Sequence, residues 1–422
     1  MTQGFGFTGG DPDKEPNPMS GLGEMLQSIG RMLSQGSAAT SLTAASLRQM
    51  ASVHMPSHRI VEPKVTAAVV AAGELADLWL DEVTQLPRGP QPLRAWSPQE
   101  WLEASAAGWV SLATPVIDGT ARASTAALTG LTGASPFPGS EEEPGAGGAM
   151  GSFGLAAGSI PPQLAALAQH MTSAMLQQQL ASTVAQLSST ALSLSELPFG
   201  ITRGAAAVMP HEIETFADGL DLPKDHALLW CALRETAYQR LAAHAPWLAK
   251  VVSDAIATHA ATLRVDTDGL AEAVANIDPM NPESLQSLAG SGLLEPTASE
   301  VGVAAAARVE ALYALIEGWV DTVVAQAAGE RLASHAALAE AFQRRRAAGS
   351  PAQTAVGALL GVDLTAKRIR TAAGLWDYIG TKYSAQVRDG LWAHPDLVPG
   401  ADDLVDPTDF LAALAAQQAG SA

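Results

Sequence analysis

The sequence contains a single cysteine, few aromatic residues and far fewer basic than acidic residues. Cys231 has no second cysteine to pair with, so an intramolecular disulfide is excluded and a reducing compartment is favoured. We expect its thiol to be buried and inert. Lysine and arginine number 24 against 43 acidic residues, which gives a formal net charge of −19. That charge argues against nucleic-acid binding, and the one basic run, residues 344–346, is expected to be a solvated helix face.

Long uninterrupted apolar runs are also missing. Residues 1–20 are rich in glycine, proline, aspartate and lysine and have no apolar core of a secretory signal, so we predict a disordered tail. The longest apolar stretch, Leu164 to Leu194, is interrupted by one histidine and several glutamines. Such polar content favours a buried helical hairpin or an interface over a membrane span. We therefore expect a protein without a membrane span, located in the cytoplasm.

Strand signals are scarce, and the only short candidates are residues 263–267 and 359–364. Alanine is abundant and β-branched runs are few, which predicts a mainly α-helical fold. Ser97, followed by proline and then by Glu100 three residues on, predicts a capping box that opens a helix. Further helices are predicted over residues 65–85, 223–245 and 299–332, after Asn281-Pro282, and after Asp406-Pro407.

The chain is predicted to have two helical parts joined by a linker. Residues 133–152 contain three prolines, three consecutive glutamates and many glycines, a composition typical of a linker. We therefore predict an N-terminal helical region over 21–132 and a second helical domain over 153–422.

One stretch of the predicted helix at 223–245 matches the zinc-protease motif His-Glu-x-x-His in register. In that motif two imidazoles one helical turn apart hold the metal, and the glutamate between them deprotonates a bound water. Here Glu235 occupies the glutamate position, but Arg234 and Tyr238 stand at the two ligand positions. An arginine offers no lone pair and a tyrosine ligates only as phenolate, so the general-base position is present without its metal ligands.

A second acidic pattern lies on the predicted helix at 299–332. Glu310, Glu317 and Asp321 line one edge of its apolar stripe, while Arg234 lies along an edge of the earlier helix's stripe. If the helices pack through these stripes, Arg234 and Glu317 would form an ion pair. Glu317 and Asp321 also have the Glu-x-x-x-Asp spacing of zinc peptidases whose third ligand is a glutamate. The alternative interpretation is a structural arginine–carboxylate network.

His244 is a further candidate metal ligand because it follows Arg234 by ten residues, the third-ligand spacing of the extended motif. That motif needs a glycine where this chain has Leu241, because the helix must end there. With leucine we expect the helix to continue to about His244, which places the imidazole about 15 Å along the axis from Arg234. A shared metal site is then geometrically disfavoured.

Several sequence blocks together resemble the zincin-like metallopeptidases of actinobacteria, which are often described as hydrolases or zinc-dependent metalloproteases. The resemblance covers about residues 72–407 and rests on blocks at residues 232–235, 243–248, 264–267, 277–279, 317–321 and 391–397. It implies a multi-helix zincin-like bundle, a zinc cofactor, Glu235 as general base and Glu317 as the acidic ligand. Some members carry arginine at the position of Arg234, but Tyr238 departs even from their pattern.

Two functions follow from these residues. The first is a catalytically degenerate family member in which Arg234, Glu235 and Glu317 form a buried network, with Asp321 and Glu310 nearby. The second is an active zinc-dependent peptidase or hydrolase, with Glu235 as base and the metal held by Glu317 together with His244, Tyr238 or a ligand not yet placed. In either case the peptide substrate or protein partner and the oligomeric state are not defined by the sequence.

Overall fold

The computed structural model describes residues 41–55, 60–133, 162–196, 204–267, 296–362 and 364–421. The predicted tail at 1–20, nearly all of the predicted linker and the helix predicted after Asn281-Pro282 lie outside these residues. Within them the protein is mainly α-helical, as predicted. The helices are α1 (Ala44–Ser52), α2 (Pro63–Leu80), α3 (Pro98–Gly133), α4 (Pro162–Ser188), α5 (Pro210–Asp218), α6 (Lys224–His244), α7 (Trp247–Ala261), α8 (Glu300–Ala328), α9 (His335–Ala347), α10 (Pro351–Leu360), α11 (Ala366–Lys382), α12 (Ala385–Gly390) and α13 (Thr408–Ser421).

The capping residues that predict the starts of two helices form the expected hydrogen bonds. The backbone N–H and the hydroxyl of Ser97 both donate to Glu100 at 2.8 Å, and the Glu100 N–H donates back to the hydroxyl. This is the predicted capping box, and it satisfies N–H groups that the first turn of α3 would otherwise leave unpaired. Helix α8 begins after Ser299, whose hydroxyl accepts from the N–H of Gly302.

Extended structure is minimal and was not predicted where it occurs. Strands β1 (Arg94–Ala95) and β2 (Ala207–Val208) form a two-residue parallel pair. Among the described residues of the two predicted strand candidates, only Arg264 takes part in a bridge, pairing with Thr297. Strand β2 nevertheless matters, because it packs beside α6 and brings a backbone N–H group to the centre of the molecule.

Helices α6 and α8 lie at the centre of the fold. Helix α8 packs against α6, α7 and α11, and α2 and α5 pack against α6. Gly318 explains the close approach of α8 to α11, because a Cβ at that position would lie 2.6 Å from the backbone nitrogen of Ala373. One continuous apolar core runs from Leu47 on α1 to Leu414 on α13 and includes the fully buried Trp319.

None of the described helices is long and apolar enough to cross a membrane. Helix α4, which covers most of the glutamine-rich stretch, packs instead against α1 and α3.

Candidate functional site

Two arginines and two carboxylates from three helices form a charge cluster at the centre of the protein. Arg234 on α6 donates from Nη2 to Oε2 of Glu317 on α8 at 2.7 Å and also pairs with Asp321. Arg346 on α9 pairs with the same two carboxylates, reaching Oδ2 of Asp321 at 2.6 Å. Arg234, Arg346 and Glu317 are buried, so the charges compensate one another away from water.

An aromatic ring supports the cluster from α9. The guanidinium carbon of Arg234 lies 5.0 Å from the ring centroid of Phe342, within the range of a cation–π contact. Phe342 precedes Arg346 by four residues, so one face of α9 presents both the ring and the second arginine. The orientation of Arg234 is therefore fixed by two acids on one side and a ring on another.

The electrostatics of the cluster stabilise the ionised carboxylates. Burial alone would raise the pKa of Asp321, but the positive charges of Arg346 and Arg234 outweigh it and lower that pKa to about 2. Both oxygens of Asp321 accept from guanidinium groups. Charge-assisted hydrogen bonds in such a fork geometry are among the strongest polar contacts in proteins.

Glu235 lies next to the cluster in sequence but is held by different partners. It has no exposed surface, and its Oε2 accepts from the backbone N–H of Ser195 at 2.9 Å. Its Oε1 accepts from Nε2 of Gln239 at 2.9 Å and from the N–H of Ala207 at 3.4 Å. Burial raises the pKa of Glu235, and these hydrogen bonds only partly oppose the increase.

Of the remaining predicted residues, His244 and Glu310 lie apart from the cluster, whereas Tyr238 lies one helical turn from Arg234 on α6. Tyr238 is 7% exposed and belongs to the apolar core. Helix α6 does continue to His244, so the imidazole lies about 15 Å along the axis from Arg234. Glu310 pairs with Arg368 at 2.7 Å, a contact separate from the Arg234 cluster.

The basic run at 344–346 is not the solvated face that the sequence suggested. Only Arg344 is strongly exposed, in an i, i+4 pair with Glu340. Arg345 pairs with Glu196 at 2.7 Å, and Arg346 is buried in the cluster. The signal that could have revealed this is the spacing Leu338, Phe342, Arg346, which places the arginine on the apolar face of α9.

Cys231 is buried, as predicted, and burial raises the pKa of its thiol to about 12. It lines a cavity of about 30 Å³ beside the cluster, together with Ser195, Glu196 and Tyr313. That volume holds about one water molecule. The raised pKa keeps the sulfur in its protonated, unreactive form near neutral pH.

The residues at the motif positions do not fit a zinc ion. A zinc site uses thiolate, imidazole or carboxylate ligands with free lone pairs. Arg234 has none, and the carboxylates of Glu317 and Asp321 are each engaged by two guanidinium groups. Within the described residues, no three histidine, cysteine or acidic side chains converge as a metal-binding group.

The structure of this chain is similar to the crystal structure of "a putative hydrolase with a novel fold" from Chloroflexus aurantiacus, with a TM-score of 0.55 and 15% identity. The alignment covers 88% of this chain and 98% of that one, and at this identity it shows a shared fold. No curated protein matches the sequence. The profile of the zincin-like metallopeptidases matches residues 38–411, and the chain therefore belongs to that family.

Proposed function

We propose that this protein is a non-catalytic member of its family that acts by binding a partner, with an arginine–carboxylate cluster at the position of a metal centre. The observation that carries the proposal is the double engagement of Glu317 by Arg234 and Arg346. Both guanidinium groups bond Oε2 of Glu317, so a metal bound to this carboxylate would either displace them or lie beside two buried positive charges. Either arrangement is strongly unfavourable.

The position of Glu235 supports the same conclusion. A general base must reach the water whose proton it removes, at about 2.6–3.2 Å. Both oxygens of Glu235 accept hydrogen bonds from Ser195, Gln239 and Ala207, and the side chain has no exposed surface. Its carboxylate thereby joins α6 to β2 and to the short helical turn that contains Ser195, which is a structural role.

The second candidate function is a zinc-dependent peptidase or hydrolase in which Glu235 activates water and Glu317 helps to hold the metal. Membership of the zincin-like family favours it, because zinc is implied for the family by resemblance. His244 would have to supply a further ligand, yet the unbroken helix α6 carries it about 15 Å from Arg234.

Metal content measured by elemental mass spectrometry separates the two functions. The tag-free wild type and a Glu317→Gln variant are each incubated with excess zinc and then desalted. We expect zinc far below one equivalent per chain in both. About one zinc per wild-type chain, lost in Glu317→Gln, would overturn the proposal.

Hydrolysis of a fluorogenic peptide library provides an independent test. We expect wild type and Glu235→Gln to release equal, background amounts of fluorophore with and without added zinc. Glutamine has nearly the shape of glutamate, so circular dichroism of Glu235→Gln checks that the fold is retained. A wild-type signal that Glu235→Gln abolishes would support the peptidase function instead.

A further inference from the structure

A second, larger cavity lies between α3, α4, α7 and α8, and we call it the lateral cavity. Its volume is about 810 Å³, within the range of small-molecule sites. None of its wall residues belongs to the charge cluster. The walls are largely apolar and include Trp109, Ile117, Leu180 and Ala306.

Helix α3 forms one long wall of the lateral cavity. It contributes Trp109, Val116, Ile117 and Thr120, a span of eleven residues. At 1.5 Å per residue this corresponds to about 16 Å. A wall of this length can accommodate an extended aliphatic chain.

His259 supplies a hydrogen-bond acceptor to this apolar wall. Its ring is 8% exposed, and its Nδ1 lies 3.1 Å from the carbonyl oxygen of Gly302 on α8. A carbonyl only accepts, so Nδ1 carries the proton and donates, and Nε2 of the neutral ring is left with a lone pair. Among the described residues Nε2 has no hydrogen-bond partner. The lateral cavity thus presents an unsatisfied acceptor, Nε2 of His259, which a ligand hydroxyl can satisfy.

The charge on the wall is balanced. Glu310 and Arg368 line the cavity, and they pair with each other at 2.7 Å. A charged ligand group would have to compete with this pair, whereas an uncharged hydroxyl would not.

We propose that the lateral cavity binds an uncharged, elongated aliphatic molecule with a hydroxyl group. The hydroxyl donates to Nε2 of His259, and the chain lies along the apolar wall formed by α3. This site is independent of the proposed loss of catalysis at Glu235, because the two share no residue.

Displacement of the uncharged fluorescent probe N-phenyl-1-naphthylamine tests the hydroxyl contact. 1-Decanol and decyl methyl ether have matched chains, but only the alcohol can donate to Nε2 of His259. We expect the alcohol to bind about tenfold more tightly than the ether in this displacement titration, a difference that corresponds to one hydrogen bond. Equal displacement by the two compounds, or no saturable probe binding, would overturn the proposal.

Substitutions with matched controls locate the site. His259→Phe should abolish the preference for the alcohol. His335→Phe is the control, because His335 also places Nδ1 against a backbone carbonyl, and this variant should retain the preference. Ala307→Phe should block probe binding because Ala307 lines the cavity, and Ala304→Phe, on the exposed side of α8, should not. Unaltered probe binding in a folded Ala307→Phe variant would place the ligand elsewhere.

Discussion

Arg234 donates to Glu317 at 2.7 Å, so two residues that the sequence predicts to stand at metal-ligand positions neutralise each other. Arg346 completes this arrangement from a third helix, α9.

The first prediction concerns Arg346. Arg346→Met should reduce the free energy of unfolding by about 3–5 kcal/mol, because it leaves the buried Glu317 and the partly buried Asp321 with a single arginine. Arg344→Met, two residues earlier, removes only an exposed pair with Glu340 and should cost less than about 1 kcal/mol. Urea denaturation of both variants measures the difference. Equal losses would show that Arg346 is not integral to the cluster.

The second prediction concerns the pH dependence caused by Asp321. Its pKa is lowered to about 2 from an ordinary 3.8, so its contribution is present above pH 3.8 and is lost as pH falls through about 2. The shift corresponds to about 2 kcal/mol. Asp321→Asn should therefore be less stable than wild type near neutral pH, and the gap should narrow in acid.

Chemical denaturation at a series of pH values measures this gap. Asp254→Asn is the control, because Asp254 forms only an exposed i, i+4 pair with Lys250. A gap for Asp321→Asn that stays constant down to about pH 2 would contradict the assigned electrostatics.

The third prediction concerns the pH dependence of stability caused by Glu235, which runs in the opposite direction to that caused by Asp321. Burial raises its pKa, so the folded state takes up a proton before the unfolded state does as the pH falls. The carboxyl of Glu235 then contributes stability that is full below its ordinary pKa and is lost as pH rises through the folded value. Glu235→Gln cannot titrate, so wild type should gain stability relative to this variant on mild acidification. A difference that does not change with pH would refute the assignment.

Much of the helical framework could be predicted from local sequence, because caps and periodicity act over a few residues. The capping box at Ser97 and the continuation of α6 to His244 are such cases, and both are present. The pairing of Arg234 with Glu317 also followed from helical-wheel positions. A contact between distant residues can be predicted from local patterns when each residue borders the apolar stripe of its helix, because the two stripes pack against each other.

The parts that could not be predicted depend on contacts between distant segments. The hydrogen bonds of Glu235 come from Ser195 and Ala207, which lie 40 and 28 residues away, in a short turn and a two-residue strand. Neither element has a sequence pattern of its own. Arg346 was assigned to a solvated face because three consecutive arginines resemble one, although only Arg344 is strongly exposed.

The last prediction concerns Gly318, which lies beside Glu317 at the contact between α8 and α11. A Cβ there would lie 2.6 Å from the backbone nitrogen of Ala373 and 2.8 Å from Cβ of Ala372, so the helices would have to separate. Gly318→Ala should therefore destabilise the protein by about 1–3 kcal/mol, the usual cost of overpacking.

Gly374 on α11 is the matched control, because a Cβ at that position would meet no atom within 4 Å. Gly374→Ala should stabilise its helix by about 0.5–1 kcal/mol, since alanine loses less backbone entropy than glycine on folding. Thermal denaturation of the two variants should therefore give shifts of opposite sign. Stabilisation by Gly318→Ala would mean that α8 and α11 lie further apart than described. The position of Glu317 would then be set by the arginines alone, and not by the close packing of its helix.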